Sequence, residues 1–326
     1  MSITYLSPKD PDNLEVPFYQ SQGWHQFLQA QEISCSRFSL IGLEGQIQTL
    51  VGVYTVRGIT YLHIPRGPII FGEVTQKDIR LWYLEMNRQA AEHNAAWCII
   101  DLDIFTEEHE DLLSNSIPFP NSSLPRQTQK LDLSKSPEEL FSEIHKKTRY
   151  NIRKAQKNEV SITTHTSHDE DFDNQLDLFY TICQETADRA QFRLHPKEHY
   201  QKLLQTHTPS FKPFLAQAHH GEDTLASNLY LQTNTEMIYL HGGSRTQKRN
   251  YMAPSYLQWD TIVRACENNL KTFDFWGTSD TLPSWQGITC FKRRFGGYTV
   301  NYPQSRALIY KPLIASLYKL YKQYKG

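Results

Sequence analysis

Two short segments have the composition of metal sites. The segment 219–223 reads HHGED, and 101–103 reads DLD, the DxD pattern of metal-dependent glycosyltransferases. The first falls where a hairpin turn is predicted, and turns favour Gly and Asp for backbone reasons. The second ends a predicted strand. We therefore predict no metal site, and the sequence contains no P-loop, GxGxxG, HExxH or GxSxG motif.

Basic side chains are concentrated in two stretches of the chain. From Lys146 to Lys157 there are six Lys and Arg residues and no acid, and no acidic residue follows Asp280. A surface charge run is usually just solvated. Two such runs on a nearly neutral protein nevertheless indicate an anionic partner, such as RNA, phosphate or a membrane face.

The chain as a whole is close to electrical neutrality. Its 326 residues include 34 Lys and Arg against 35 Asp and Glu, and 39% are hydrophobic. This composition excludes a strongly basic nucleic-acid coat protein, an integral membrane protein and a disordered chain. The first twelve residues lack the basic and apolar regions of a signal peptide, and the five scattered cysteines predict reduced thiols. We expect a cytoplasmic protein of about two domains.

Hydrophobic periodicity predicts the same order of elements in the first and last thirds of the chain. Strands are predicted at 37–43, 47–56 and 60–64, a helix at 75–94 and a strand at 97–102. The last third repeats this order, with strands at 211–218, 224–233 and 236–241, a helix at 254–269 and a strand at 272–276. The nearly constant offset predicts a duplicated α/β unit.

Helices dominate the stretch between the two copies. Ser136 and Glu139 form a capping box with Pro137 as the first helical residue, which predicts a helix to about residue 158 that carries the first basic run. A strand at 160–164 and helices at 169–189 and 196–204 follow. The tail at 312–324 is amphipathic, which is typical of a helix that caps a core or of a membrane-surface contact.

A β-β-β-α-β unit of this kind resembles the GNAT acyltransferase fold. Acetyl-CoA users in that fold hold the pyrophosphate with a glycine-rich loop before the main helix. The corresponding loops here, 65–69 (PRGPI) and 245–253 (RTQKRNYMA), lack a run of spaced glycines. We therefore do not expect coenzyme A as the donor.

Seven segments, taken in order, resemble the Fem family, the FemABX-type aminoacyltransferases of peptidoglycan cross-bridge synthesis. They are 63–68 (HIPRGP), 148–155 (TRYNIRKA), 186–189 (TADR) followed by Phe192, 239–244 (YLHGGS), 254–259 (PSYLQW), 273–277 (FDFWG) and 291–297 (FKRRFGG). The resemblance spans about residues 24–303 and agrees with the duplicated unit.

The fold implied by the resemblance is α/β, in the α+β sense, with two tandem GNAT-like domains of mixed sheets flanked by helices. One domain comprises 1–133 and 304–326, and the other comprises 134–303 and carries the catalytic lysine of the family. The stretch between Arg189 and Phe211 is too short for the coiled-coil arm of the FemA type, so a compact FemX type without that arm is expected.

The reaction implied by the resemblance is transfer of an amino acid from aminoacyl-tRNA to an amine on the stem peptide of UDP-MurNAc-pentapeptide or its lipid-linked form. An aminoacyl ester is already activated, so the enzyme must orient the amine and stabilise the oxyanion of the tetrahedral intermediate. The family's Phe-Lys pair corresponds to Phe291 and Lys292. This implies that Lys292 is the electrostatic stabiliser and that Phe291 is a wall positioning the tRNA end or the substrate. The alternative for Lys292 is a solvated base in a basic run, and no cofactor is expected besides the charged tRNA.

Two arginines are candidates for binding the precursor. Arg189 matches the family's Thr-x-x-Arg position, which implies contact with anionic groups of the precursor; the alternative is a helix C-terminal Arg favourably placed in the helix dipole. Arg66 lies between Pro65 and Gly67 in a stiff turn. One alternative is that this turn shapes the binding site for the precursor. The other is that Arg66 serves only to hold the loop in place.

Three positions depart from the family pattern. His63 and His241 stand where members often have Tyr, whereas Tyr239 is retained, and all three are candidates for binding the substrate. Leu28 occupies the position where some members have a Lys, four residues after Trp24. The loss of that Lys argues against binding of a UDP diphosphate and favours a lipid-linked or otherwise altered precursor.

The first basic run has a counterpart in the family, which implies contact with tRNA phosphates; a solvated helix face is the alternative. The residues assigned to tRNA binding are Lys146, Lys147, Arg149, Arg153, Arg293 and Arg294. Two other functions remain open: an N-acyltransferase of the same fold acting on another amine in polysaccharide or protein modification, and a non-catalytic module that binds tRNA or the precursor. We expect a cytoplasmic monomer with peripheral contact to the inner membrane face.

Overall fold

The computed structural model describes residues 2–12, 15–119 and 124–325, with the side chains of the last helix described up to residue 318. The chain divides into two compact units, Met1–Leu124 with Tyr302–Gly326, and Pro125–Asn301. The sequence-based division differs from this one at residues 302 and 303 and at residues 125–133, which include the strand Gln127–Asp132. That strand hydrogen-bonds with strands of the second sheet, so it lies in the second unit.

The secondary-structure elements are numbered in chain order. The strands are β1 Ser2–Leu6, β2 Cys35–Ile41, β3 Gly45–Val56, β4 Ile59–Pro65, β5 Ile69–Gly72, β6 Trp97–Asp101, β7 Ile117–Pro118, β8 Gln127–Asp132, β9 Ser161–His165, β10 Lys212–His220, β11 Asp223–Gln232, β12 Glu236–Ser244, β13 Thr272–Thr278, β14 Tyr298–Asn301 and β15 Arg306–Ile309. The helices are α1 Gln22–Ala30, α2 Gln76–Glu92, α3 Glu107–Leu112, α4 Pro137–Glu143, α5 Lys146–Lys157, α6 Phe172–Ala190, α7 Lys197–Gln205, α8 Ala253–Glu267, α9 Gln286–Arg293 and α10 Pro312–Lys325.

The first unit is built on one mixed sheet. Its strand order is β1-β2-β3-β4-β6-β15-β7, and β5 pairs with β3. The parallel strands β4 and β6 are joined by α2, which begins with a capping box between Thr75 and Asp78. The helix buries Ile79, Trp82 and Met86 against the sheet, because apolar residues spaced three and four apart share one helix face.

The second unit repeats this construction. Its strand order is β14-β8-β13-β12-β11-β10-β9, with β12 and β13 parallel and joined by α8. The order β10-β11-β12-α8-β13 matches β2-β3-β4-α2-β6 of the first unit, which confirms the predicted duplicated unit of mixed sheets flanked by helices. The connection from α6 to β10 consists of α7 and short loops.

One predicted helix is two helices. The capping box at Ser136 is present, but α4 ends at Glu143 and α5 begins at Lys146. Ile144 and His145 between them have extended backbone dihedrals, and the His145 side chain accepts a hydrogen bond from the Lys147 backbone N–H at 3.2 Å. The prediction of one continuous helix is wrong because His145 caps a new one.

The amphipathic tail forms α10. Ile314, Ala315 and Tyr318 pack against Trp97 of the first unit, with the Tyr318 and Trp97 rings 4.9 Å apart. Leu317 of the predicted apolar face is exposed, and Tyr321 and Tyr324 lie beyond the described side chains. Among the described residues, no helix combines the length and apolar character needed to span a bilayer.

Candidate functional site

The parallel strands β12 and β13 stop pairing halfway along their length. Their last paired residues are Ile238 and Asp274. At the same point the pairing of β13 with β8 is interrupted between Asp274 and Gly277. The Asp274 carboxylate accepts a hydrogen bond from the Trp276 backbone N–H at 2.6 Å, and Trp276 has φ of +60°. This local turn interrupts the regular ladder at Trp276, and pairing with β8 resumes at Gly277.

Lys292 donates hydrogen bonds to the backbone of this turn. Its Nζ donates to the Gly277 carbonyl at 2.7 Å and to the Trp276 carbonyl at 3.3 Å. The residue lies near the end of α9, which Thr289 ties to the end of β13 by accepting the Ser279 backbone N–H at 3.1 Å. The side chain is therefore held inside the second unit, and Lys292 is only 6% exposed.

The electrostatics of Lys292 follow from this position. Burial lowers the pKa of the amine to about 7, and the Asp274 charge partly opposes that shift. The Tyr239 ring centroid lies 5.6 Å from Nζ, so an aromatic face borders the amine as well. A solvated base in a basic run would be exposed; Lys292 is instead a buried amine that can change charge near neutral pH.

Tyr239 and His241 both border this region but face opposite sides of the sheet. Tyr239 pairs with Tyr230 and His241 with Leu229, so β12 carries one extra residue at this point. Because adjacent residues of β11 point to opposite faces, their partners on β12 do so too. Tyr239 packs on the Tyr230 ring at 5.5 Å, and His241 packs on the opposite face.

His241 lies in a cluster of aromatic rings that the sequence did not suggest. Its ring meets Tyr200 at 5.1 Å and His195 at 6.0 Å, and His195 stacks on His199 at 4.1 Å. Burial lowers the pKa of His241 to about 3, with His195, His199 and Lys292 acting in the same direction. The imidazole is thus neutral at pH 7 and can hydrogen-bond as a neutral group.

Phe291 points into the core of the second unit. It is half-buried against that core, and its ring meets Phe295 edge to face at 5.4 Å. It precedes Lys292 directly and helps to anchor α9. The structure therefore places Tyr239 beside Lys292, with His241 on the other face of β12 but within reach of the Lys292 charge, and it packs Phe291 into the core next to Lys292.

Arg189 ties α6 to the end of β12. Its guanidinium donates to the Thr246 hydroxyl at 3.0 Å and to the Ser244 carbonyl at 3.4 Å. Burial lowers its pKa, and Arg249 acts in the same direction. The contact between α6 and β12 is close here, because a Cβ on Gly243 would meet the Ile182 carbonyl at 2.7 Å. Arg189 of α6 is thus tied to the end of β12, a few residues beyond His241.

His63 belongs to a hydrogen-bonded group inside the first unit. Its Nε2 lies 2.7 Å from the Asp101 carboxylate, which also accepts a hydrogen bond from the Ser305 hydroxyl. Parallel pairing of β4 with β6 sets this geometry, since His63 pairs with Ile99 and Pro65 with Asp101. Asp101 of the DLD segment is therefore a partner of His63.

Arg66 is buried beside that group. Its backbone has φ of +51°, and its guanidinium lies over the Tyr302 ring, 3.3 Å from the centroid. One guanidinium N–H also reaches the Leu102 carbonyl at 3.4 Å. The residue is only 4% exposed, and these contacts hold the loop after β4.

The predicted tRNA-binding residues fall into two groups in the second unit. Lys146, Lys147 and Arg153 are exposed on α5. Arg149 instead donates to the carbonyls of Ser142 and Ile144, and both nitrogens of the Arg293 fork reach Asp280, at 2.6 and 3.1 Å. The Arg294 carbonyl accepts the His145 backbone N–H at 2.8 Å, which places the end of α9 beside the start of α5.

The sequence analysis did not identify Asp274, whose carboxylate holds the turn at Trp276. Asp274 stands between the core residues Phe273 and Phe275 in the segment FDFWG. A single acidic residue at a buried strand position was the signal that could have identified it. The HHGED segment forms the turn between β10 and β11, with Gly221 at φ of +60°. Within the described part of the chain, no three His, Cys, Asp or Glu side chains are grouped to hold a metal ion.

Comparison with known structures agrees with this architecture. A crystal structure of FemX matches with a TM-score of 0.77 at 16% identity, covering 97% of this chain and 99% of that one. A tandem GNAT protein from the clavulanic acid biosynthesis pathway matches with a TM-score of 0.57 at 10% identity, over 94% and 97% of the two chains. These likenesses confirm the predicted GNAT-like fold.

Sequence comparison identifies the family. Aminoacyltransferase FemA of Staphylococcus epidermidis is 23% identical over 114 residues, which cover 34% of this chain and 27% of that relative. The FemAB family model matches residues 81–223 and 209–323. Those two matches together take in most of the chain, including β12, β13 and Lys292. The chain therefore belongs to the FemAB family.

Proposed function

We propose that this protein transfers an amino acid from an aminoacyl-tRNA to an amine on the stem peptide of a peptidoglycan precursor. Family membership and the likeness to an aminoacyltransferase support a transferase. The observation that carries the proposal is the buried Lys292 amine, held by two backbone carbonyls where β12 and β13 stop pairing. A cation there faces the opening between two strands.

The proposed chemistry is aminolysis of an ester. The acceptor amine attacks the ester carbonyl, a C–N bond forms, the C–O bond to the tRNA ribose breaks, and the amine's proton ends on the ribose oxygen. The carbonyl oxygen carries negative charge in the tetrahedral intermediate, and a preorganised cation stabilises it. Protonated Lys292 is that cation in our proposal. Because the ester is already activated, the reaction needs neither coenzyme A nor a metal.

Recognition of the precursor falls to polar groups in each unit. In the second unit, we assign this role to Tyr239 beside Lys292, to neutral His241 two residues further along β12, and to Arg189 of α6, which donates to a carbonyl at the end of β12. In the first unit, we assign His63 to hydrogen-bonding the substrate and Arg66 to shaping the loop around it. Leu28, which replaces the lysine of some family members, is buried in the first unit. We therefore favour a lipid-linked precursor, used by a monomer at the cytoplasmic membrane face.

The test is product mass after incubation with a pool of charged tRNAs and an acceptor. UDP-MurNAc-pentapeptide and its lipid-linked form are assayed in parallel, and a third arm replaces charged tRNA with acyl-CoA. We expect one added amino-acid residue with tRNA only, in the presence or absence of EDTA. Transfer from acyl-CoA would instead establish an N-acyltransferase, and binding without product from any donor would establish a non-catalytic module.

A further inference from the structure

One exposed aromatic residue stands in the middle of the basic face of α5. Tyr150 is 62% exposed, and no other described side chain stacks on its ring. A helix places the residues three and four positions away on the same face. For Tyr150 these four neighbours are all basic: Lys146, Lys147, Arg153 and Lys154.

Packing of α5 does not account for the position of Tyr150, because the opposite face of the helix makes the contact with the core. Thr148, Ile152 and Ala155 are buried against the second unit's core side, so they hold the helix in place. Tyr150 lies on the other side and contributes nothing to that contact. An apolar ring that is left in water among cations loses the benefit of burial unless a ligand covers it.

We propose that this face of α5 binds an unpaired stretch of RNA, with Tyr150 stacking on a base and the surrounding lysines contacting phosphates. The inference rests on the proposed tRNA-dependent function, and the stretch it assigns is the single-stranded acceptor end. Single-stranded RNA combines a polyanionic backbone with exposed bases, and proteins that bind it pair basic grooves with aromatic stacking platforms.

A lipid surface fits this face less well. Membrane-surface helices bury a broad apolar face, whereas the apolar side chains Ile152 and Ala155 of α5 are already buried. Tyr150 alone offers too little apolar area for that. Its cationic surroundings favour a polyanionic ligand instead.

The structure also separates the basic residues by role. Among the described residues, none supplies a carboxylate partner to Lys146, Lys147, Lys154 or Lys157, so these four are available for phosphates. Arg149 is committed to the Ser142 and Ile144 carbonyls, and Arg153 lies over the Phe141 ring at 5.1 Å. We assign Arg149 to positioning the helix.

The test measures binding of the full-length protein to an uncharged RNA hairpin with a four-nucleotide 3′ single-stranded tail ending in CCA. Fluorescence anisotropy gives Kd as a function of salt. Tyr150→Leu should raise Kd about tenfold or more at unchanged salt dependence, and Tyr150→Phe should restore binding because the ring still stacks. Lys147→Gln should lower the salt slope by about 0.7–0.9.

Matched controls make the outcome specific. Tyr5→Leu alters a half-exposed tyrosine of the first unit, and Lys197→Gln alters a lysine already paired with Asp177; neither should change Kd. Thermal melting establishes that each variant is folded. If Tyr150→Leu binds the hairpin like wild type, or weakens only binding to anionic vesicles, the inference is overturned while the proposed function stands. If the wild-type protein binds no RNA at all, the proposed tRNA dependence fails with it.

Discussion

The Nζ of Lys292 lies 2.7 Å from the carbonyl oxygen of Gly277, the residue at which β13 resumes pairing with β8. The amine is thus held by uncharged acceptors, and no carboxylate within the described part of the chain forms an ion pair with it. A buried amine in such surroundings gives up its proton easily, which is why burial lowers its pKa to about 7. The same hydrogen bond fixes the amine at the opening between β12 and β13.

The rate of transfer should depend on the charge of Lys292. Below pH 7 the amine is protonated, and above pH 7 it is neutral. If its role is to stabilise an oxyanion, the single-turnover rate should fall about tenfold for each pH unit above 7, after correction for acceptor-amine ionisation. A rate that rises through the same range would assign Lys292 the role of a base.

Replacing Lys292 by Met should remove the cation while keeping the length of the side chain. We expect the transfer rate to fall about 10²–10³-fold, the cost of losing one oxyanion-stabilising group. Binding of both substrates should change little, since the cation acts in the transition state. Lys197→Met, at an exposed ion pair, is the control; a Lys292→Met variant with a wild-type rate would refute the assigned mechanism.

Lys292 should also make the free energy of unfolding depend on pH. The pKa of Lys292 is about 7 in the folded protein against an ordinary value of 10.5, so between these values the unfolded chain binds more protons. Stability from this group therefore rises as the pH increases from 7 to 10.5. Urea denaturation of wild type and Lys292→Met across this range measures it: the difference between the two free energies of unfolding should shift in favour of wild type with pH. A constant difference would contradict the lowered pKa.

Gly277 should not tolerate a side chain. A Cβ there would meet Trp285 at 2.7 Å and Pro125 at 2.8 Å, both rigid rings. Gly277→Ala should therefore displace the carbonyl that holds Lys292, lowering both the transfer rate and the free energy of unfolding. Gly287→Ala is the matched control, because a Cβ there meets nothing within 4 Å and α9 should gain about 0.5–1 kcal/mol.

Asp101 should be a structural centre of the first unit. It is buried and accepts hydrogen bonds from His63 and from Ser305, residues far apart in sequence. Asp101→Ala leaves both donors without this acceptor and should lower the free energy of unfolding by about 1–3 kcal/mol. Glu107→Ala, at an exposed position, should have little effect. Equal stability of the two variants in urea denaturation would argue against this role for Asp101.

The duplicated unit could be predicted because local hydrophobic periodicity indicates each of its strands and helices. The alternation of apolar residues in β10 and β11 and the helical spacing in α8 need no knowledge of distant residues. The fold class and the role assigned to Lys292 were then predicted from motifs whose order resembles that of one family.

Other features depend on partners far away in the chain. The turn at Trp276 requires Asp274 to accept its N–H, and the pairing of His63 with Asp101 requires two parallel strands in register. The break between α4 and α5 depends on one capping contact of His145, which spacing alone does not reveal. The strand β15 is only four residues long, too short for a periodic signal.

The position of β15 has a consequence for how the polypeptide is made. This strand lies between β6 and β7 in the first sheet, yet it follows the whole second unit in the chain. During translation, the N-terminal sheet therefore remains incomplete beside β6 until residue 309 has been synthesised. The second unit is continuous in sequence and can close earlier, so the nascent chain acquires its C-terminal fold before its N-terminal one is complete.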